Sequence, residues 1–268
     1  MTVDANSAVS STTTSSVEQR ARQGLVALWI LWAGLLAAAM VIGNLGEGHG
    51  SAAATAARMG SSVTLVVAGW LAYAWRRNMP WGFYARCIAI GMTLGTIGDF
   101  FNAGLLNFIQ LSDPVLGGIA AFAVGHIAYI TGCLNLARVS CLTDRRTLIG
   151  AVVVWQIVGL VGWYVVAFEG SEHRDLVWPA LPYSLLLAGT AGLTSGLALQ
   201  DRRMAGLALG GALFLASDLI LACGLFRGHV PHQTEWVWMT YGPAQMLIVY
   251  SVIATAGVVG RVARPITR

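Results

Sequence analysis

Apolar and polar positions alternate in long blocks along this chain. Apolar runs cover about 25–42, 55–75, 87–109, 115–137, 147–168, 177–199, 204–225 and 237–260. The joints between them hold glycine, proline and charge: "RRNMPWG", "LSDPV", "TDRR", "EGSEHRD", "QDRR" and "RGHVPHQTE". At a rise of about 1.5 Å per residue each run is long enough to cross a hydrocarbon layer. The pattern predicts an all-α, polytopic membrane protein with eight transmembrane helices over residues 20–260. Residues 1–19, rich in Ser and Thr without apolar periodicity, read as a disordered tail, and 261–268 as a second, C-terminal tail. Arg20 and Arg22 ahead of the first run resemble a secretion signal, but the run is longer than such signals use, which favours a retained signal-anchor helix.

Composition sharpens the class. Hydrophobic residues make up 56% of the 268 positions and charged residues 10%, where a soluble domain carries about 25% charged. So few charges cannot cover a water-facing surface. All 16 basic residues are arginine, and the missing lysine excludes a retinal Schiff base. The net charge of +4 is spread over many short loops, which excludes a nucleic-acid surface, since that needs a clustered basic patch. Thirteen arginines fall on one side of the predicted helices, and Arg58, Arg174 and Arg227 on the other. This bias puts both termini in the cytoplasm and predicts a multi-pass protein of a cell membrane, a bacterial inner membrane. Trp75 and Trp81 suit the inner interface, and Trp178, Trp236 and Trp238 the outer one. Cys87, Cys133, Cys141 and Cys223 form no CxxC pair and read as small core residues without disulfides.

Within the apolar runs, Asp99 and Asp218 are the acids farthest from a predicted membrane surface. Burying a carboxylate in hydrocarbon is expensive, so such residues usually face a bundle interior and serve function. Two carboxyls sharing a dry pocket can hold one proton between them, which sets a general acid beside a general base. The plainer reading is a pair of hydrogen bonds that staple helices together. The offset of 119 from Asp99 to Asp218 also carries His126 to Gln245, and "TIGDFFNAGL" resembles "LASDLILACGL". That coincidence of offsets suggests a parallel duplication of a four-helix unit.

Other polar residues share the level of the two acids. His126 in "AVGHIAY" could orient a carboxylate or shuttle a proton, or be a core histidine bonded to a carbonyl. Asn102 is one turn from Asp99. Tyr183, Tyr241 and Gln245 lie in the outer parts of the sixth and eighth helices, and Asn44 closes the first helix near Glu47. Each alone suits packing; together they suggest one polar, substrate-binding chamber. Arg58, at the outer start of the second helix, suits either an interfacial anchor or a bidentate phosphate ligand. No metal is expected: of the five histidines, His126 alone falls within a span, and zinc hydrolases need several ligands at one depth. No GxSxG and no P-loop occurs, so neither serine catalysis nor nucleotide binding has an anchor.

"LGTIGDFFNAGL", "GGIAAFAVGHIAYITG", "GALFLASDLILA" and "YGPAQMLIVYSV", in that order, span much of residues 88–255. They resemble the glycine–aspartate, glycine–histidine–tyrosine, serine–aspartate and tyrosine–glutamine helices of the YhhN-like family, which contains the lysoplasmalogenases. Where family members often open the second helix with lysine–proline, this chain has "AARMGSS", with Arg58 as its positive charge. Asn102 stands where a more apolar residue is common. The resemblance implies hydrolysis of the vinyl ether bond of a lysoplasmalogen to a fatty aldehyde and a glycerophospho-base. It implies Asp99, Asp218 and His126 as catalytic, no cofactor, and a lysophospholipid substrate drawn from membrane lipid. The oligomeric state is left open. Two other classes fit the same residues: a proton-coupled transporter of lipid or small molecules, and a lipid-binding protein without turnover.

Overall fold

In a computed structural model of the chain, residues 5–45, 51–109, 111, 113–228 and 230–255 are described. Among them there is no strand, and eight α-helices follow one another: α1 Ala5–Leu45, α2 Ala52–Arg76, α3 Gly82–Asn102, α4 Pro114–Val139, α5 Arg145–Trp163, α6 Val177–Gln200, α7 Ala205–Arg227 and α8 Gln233–Ala254. A π-helical turn, Tyr164–Phe168, extends α5. The expected C-terminal tail, Glu47, His49 and His229 lie outside the described residues. Helix α1 starts upstream of its apolar part, which runs over Glu18–Asn44.

Five helices are long and apolar enough to cross a membrane: α1, α4, α5 with its π turn, α7 and α8. The chain is a multi-pass membrane protein. Helices α2, α3 and α6 make up the rest of the bundle. They carry Arg58, Asp99 and Tyr183.

Six helices form a closed ring. Contacts run α2–α3–α4–α6–α7–α8 and return from α8 to α2. Helix α1 lies outside the ring against α2 and α8, and α5 lies outside it against α6 and α7. A large apolar core fills the ring, with Leu65, Met92, Phe122, Leu197 and Phe214 among its buried members. Close approach of α3 and α4 depends on missing side chains. A Cβ on Gly98 would stand 2.5 Å from the Phe122 ring, and one on Gly118 would stand 2.7 Å from Asn102 Oδ1. Such small-residue seams let membrane helices meet where no hydrophobic force separates helix from lipid.

Helix ends follow local chemistry. Asp113 caps α4 by accepting from Val115 N at 2.8 Å, with Pro114 as the first helical residue. Asp144, in the exposed loop before α5, accepts from the Thr147 hydroxyl and from the Arg146 and Thr147 amides. These bonds, the hydroxyl's foremost, hold its carboxyl below the ordinary aspartate value. Helix α3 ends at Asn102, short of the expected 109, because Gly104 takes a positive φ of 71° and Leu105 N bonds back to Phe100 O, a glycine stop. Cys87 and Cys133 are buried as expected; Cys141, however, is exposed at the end of α4 with φ 54°. All four thiols are free.

Candidate active site

A cavity of about 290 Å³ opens among α2, α3, α4, α7 and α8. Asp99 and Asp218 both line it, as do Arg58, Asn102 and Tyr241. Two carboxylates that are 119 positions apart in sequence thus face one chamber inside the ring. Asp99 is 5% exposed, and Ser62 Oγ on α2 donates to its Oδ2 at 2.7 Å. Asn102, one turn further along α3, is exposed at the cavity edge. Asp218 is less enclosed. The Tyr183 hydroxyl donates to its Oδ2, and Ser217 Oγ lies 3.2 Å from its Oδ1.

On α8, Gln245 Nε2 donates to the Tyr241 hydroxyl. The phenol therefore keeps its own proton, which it gives to the Asp99 carboxylate. Both site tyrosines stand beside helix-interrupting prolines: Pro182 precedes Tyr183 in α6, and Pro243 follows Tyr241 in α8. Neither proline has an N–H to give to the carbonyl four residues back, a defect that membrane helices tolerate where neighbours support it.

His126 is fully buried but does not line the cavity. Its Nδ1 lies 2.9 Å from Thr190 Oγ1, and the Thr190 hydroxyl gives its proton to Leu186 O at 3.1 Å. Thr190 is thus left to accept, which makes Nδ1 the protonated nitrogen and Nε2 a bare lone pair. Among the described residues Nε2 has no hydrogen-bond partner. The ring packs edge-on against Phe214 at 4.5 Å and Tyr183 at 6.4 Å. It stands behind Tyr183 and is bonded to Thr190 and to neither carboxylate.

Arg58 turns inward and is 4% exposed. Its Nη2 lies 3.6 Å from Glu235 Oε1, also buried. A snorkelling interfacial anchor would reach outward, so that alternative fails. Taking both charges from water is costly unless they are paired, and here each provides the other's counter-charge. Asn44 is not brought to the site. It is exposed and bonds the Met40 carbonyl of its own helix at 2.8 Å, because sharing a level along the membrane does not fix which way a side chain points.

Three site residues escape a reading of the sequence. Glu235 reads as part of a polar joint, yet α8 begins at Gln233 and buries it. Ser62 is an ordinary hydroxyl in an apolar run; its spacing of four from Arg58 puts both on one face of α2 and is the signal that could have found it. Trp238, grouped by sequence with Trp178 and Trp236 in an outer belt, is 8% exposed and lines the cavity, whereas those two are 64% and 53% exposed. No group of three His, Cys, Asp or Glu among the described residues could hold a metal.

The family model described as YhhN family matches residues 53–252, from the first turn of α2 almost to the end of α8. Lysoplasmalogenase TMEM86B of Sus scrofa is 33% identical over 140 residues, which is 52% of this chain. The aligned part spans 54% of that protein, about half its length. No solved structure matches.

Proposed function

The chain belongs to the YhhN family, and from that footing we propose that it hydrolyses the vinyl ether bond of lysoplasmalogens with Asp99 and Asp218 as an acid–base pair. The observation that carries this reading is the common cavity lined by both carboxylates and Arg58. Vinyl ethers open by slow protonation at carbon. One carboxyl, as acid, gives its proton to the alkenyl carbon remote from oxygen, leaving an oxocarbenium ion. Water then adds to the carbon bound to oxygen, and the second carboxylate takes the proton that water releases. In the collapse of the resulting hemiacetal, the second carboxyl gives its proton to the departing glycerol oxygen and the first takes the proton of the hemiacetal hydroxyl. A fatty aldehyde and a glycerol hydroxyl form, and both carboxyls return to their starting states. The negative second carboxylate also stabilises the cation before water arrives.

Arg58 binds the phosphate of the head group, exchanging part of its contact with Glu235 for a second anion. Tyr241, Gln245 and Asn102 position the glycerol backbone, and Tyr183 orients Asp218. His126 acts through Tyr183. All eight helices cross a cell membrane, with both termini in the cytoplasm. The two four-helix halves are parallel repeats: α4 of the first half meets α6 of the second, and α8 of the second meets α2 of the first, as exchange of the halves requires.

Purified protein in detergent, with no ion gradient, should release aldehyde from a lysoplasmalogen and none from the saturated ether analogue. Uptake of lysolipid into vesicles without aldehyde release would instead identify a transporter that uses the same acids.

A further inference from the structure

A second, smaller cavity of about 50 Å³ lies between α5 with its π turn, α6 and α7. Asp218 is the one residue common to its wall and to that of the larger cavity. The two chambers differ in kind. The larger carries Arg58, Asp99, Asn102, Gln233 and Thr234. The smaller is walled by Trp163, Val166, Leu215, Leu219, Ala222 and similar apolar groups. Its few polar groups are already engaged. Tyr183 donates to Asp218, Ser184 Oγ to Gly159 O at 2.9 Å, and Trp163 Nε1 to Val177 O at 2.8 Å. Apart from Asp218 at the junction, the chamber has no spare donor or acceptor, so away from that carboxylate it gives water nothing to bond and accepts hydrocarbon instead.

Its shape has local causes. The π turn over Tyr164–Phe168 supplies Val166 and Ala167, and such turns interrupt α-helices mostly at functional sites. Ala167, Ala180 and Ala222 leave space that larger residues would fill.

We propose that this apolar chamber is the subsite for the first carbons of the alkenyl chain, so that the vinyl ether lies at Asp218 where the polar and apolar chambers meet. The proposal rests on the hydrolase reading above and adds to it the side on which the tail leaves the reacting carbons. A lysoplasmalogen changes from polar to apolar at the bond to be cut, and Asp218 stands where the protein makes the same change. The chamber holds about three to five methylene-sized groups at the volume a single water needs, so it selects the shape of the chain next to the bond.

Two measurements test this. A non-hydrolysable saturated ether lysolipid with a photoreactive diazirine on the second or third chain carbon should label peptides of α5 and α7 around Trp163 and Leu219. Ala222→Leu should remove that label. Labelling confined to α2 and α8 overturns the subsite. In turnover, Ala222→Leu should lower kcat/KM for long-chain lysoplasmalogen by about tenfold or more, the effect of losing roughly two buried methylenes. A truncated methyl vinyl ether substrate should keep its rate. Leu219→Ala, which enlarges the chamber, should speed a substrate branched near the vinyl carbons. Equal loss on long and truncated substrates overturns the proposal. Label in this chamber without aldehyde release from the wild type leaves the subsite standing and removes the hydrolase reading; aldehyde release with label elsewhere does the reverse.

Discussion

The surroundings of Asp99 and of Asp218 differ although both line one cavity. Asp99 is deep, meets the Ser62 hydroxyl of α2 and the Tyr241 phenol of α8, and faces the larger cavity. Asp218 is less enclosed, has a phenol and a serine at its two oxygens, and faces two cavities of opposite polarity. The polar residues one helix further along differ as well. His126 in α4 is turned to Thr190, while Gln245 in α8 serves Tyr241 beside the cavity. One chamber thus holds two acids in unlike settings, and unlike settings are what an acid–base pair needs, because one carboxyl must keep a proton that the other gives up.

The largest effects should come from the acids themselves. Asp99→Asn and Asp218→Asn preserve shape but remove the transferable proton or the charge. Each should lower aldehyde release by at least about 10²-fold, and the double variant should be little slower than either, because groups acting as a unit are not additive. Yield and thermal stability measured beside the rates distinguish chemistry from stapling. Near wild-type turnover in a well-folded asparagine variant would break the pairing and leave that carboxylate as architecture.

Arg58→Ala should follow. Removing a charge-assisted contact should weaken binding of phosphate-bearing lysolipid by about 1.5–3 kcal/mol, and weaken a neutral monoglyceride ether far less. It also leaves Glu235 without this counter-charge, so lower stability accompanies it. Comparing two ligands on the same variant cancels that loss. Equal weakening of both would return Arg58 to a structural role.

Smaller still, and most pointed at the contrast between the two acids, are the donors. Tyr183→Phe and Ser62→Ala each remove one hydroxyl from one carboxylate. Each should slow turnover by about tenfold, the scale of one hydrogen bond to a charged group, and should shift the pH–rate profile, which simple packing loss would not. The smallest effect is expected from His126→Gln, which sits behind Tyr183. A His126 effect as large as that of Asp218→Asn would move the imidazole from a supporting role into the chemistry.

The positions of the helices and of both carboxylates were legible in the sequence because hydrocarbon penalises polarity so heavily that exceptions stand out. Direction was not legible. Asn44, expected at the level of the site, bonds its own helix, and Trp238, which reads in the sequence as interfacial, lines the cavity. Glu235 was hidden because a polar joint and the first turn of a helix look alike until the helix start is known. Ser62 was hidden because a serine in a membrane helix usually bonds its own backbone. These choices depend on rotation about the helix axis and on packing between helices, and periodicity fixes neither in segments that are apolar on nearly every face.

Pro243 gives the larger cavity a mechanical property. The part of α8 before it, from Gln233, carries Gln233, Thr234, Val237 and Trp238 of the cavity wall, and Glu235 against Arg58. With one rung missing from its backbone ladder, the helix bends more easily there than elsewhere. Ten residues make a lever about 15 Å long, and a bend of about 10° moves its tip by about 2.6 Å. Gln245, beyond the fulcrum, stays where it is. A change of angle at that one residue would therefore move the Gln233–Trp238 side of the cavity wall.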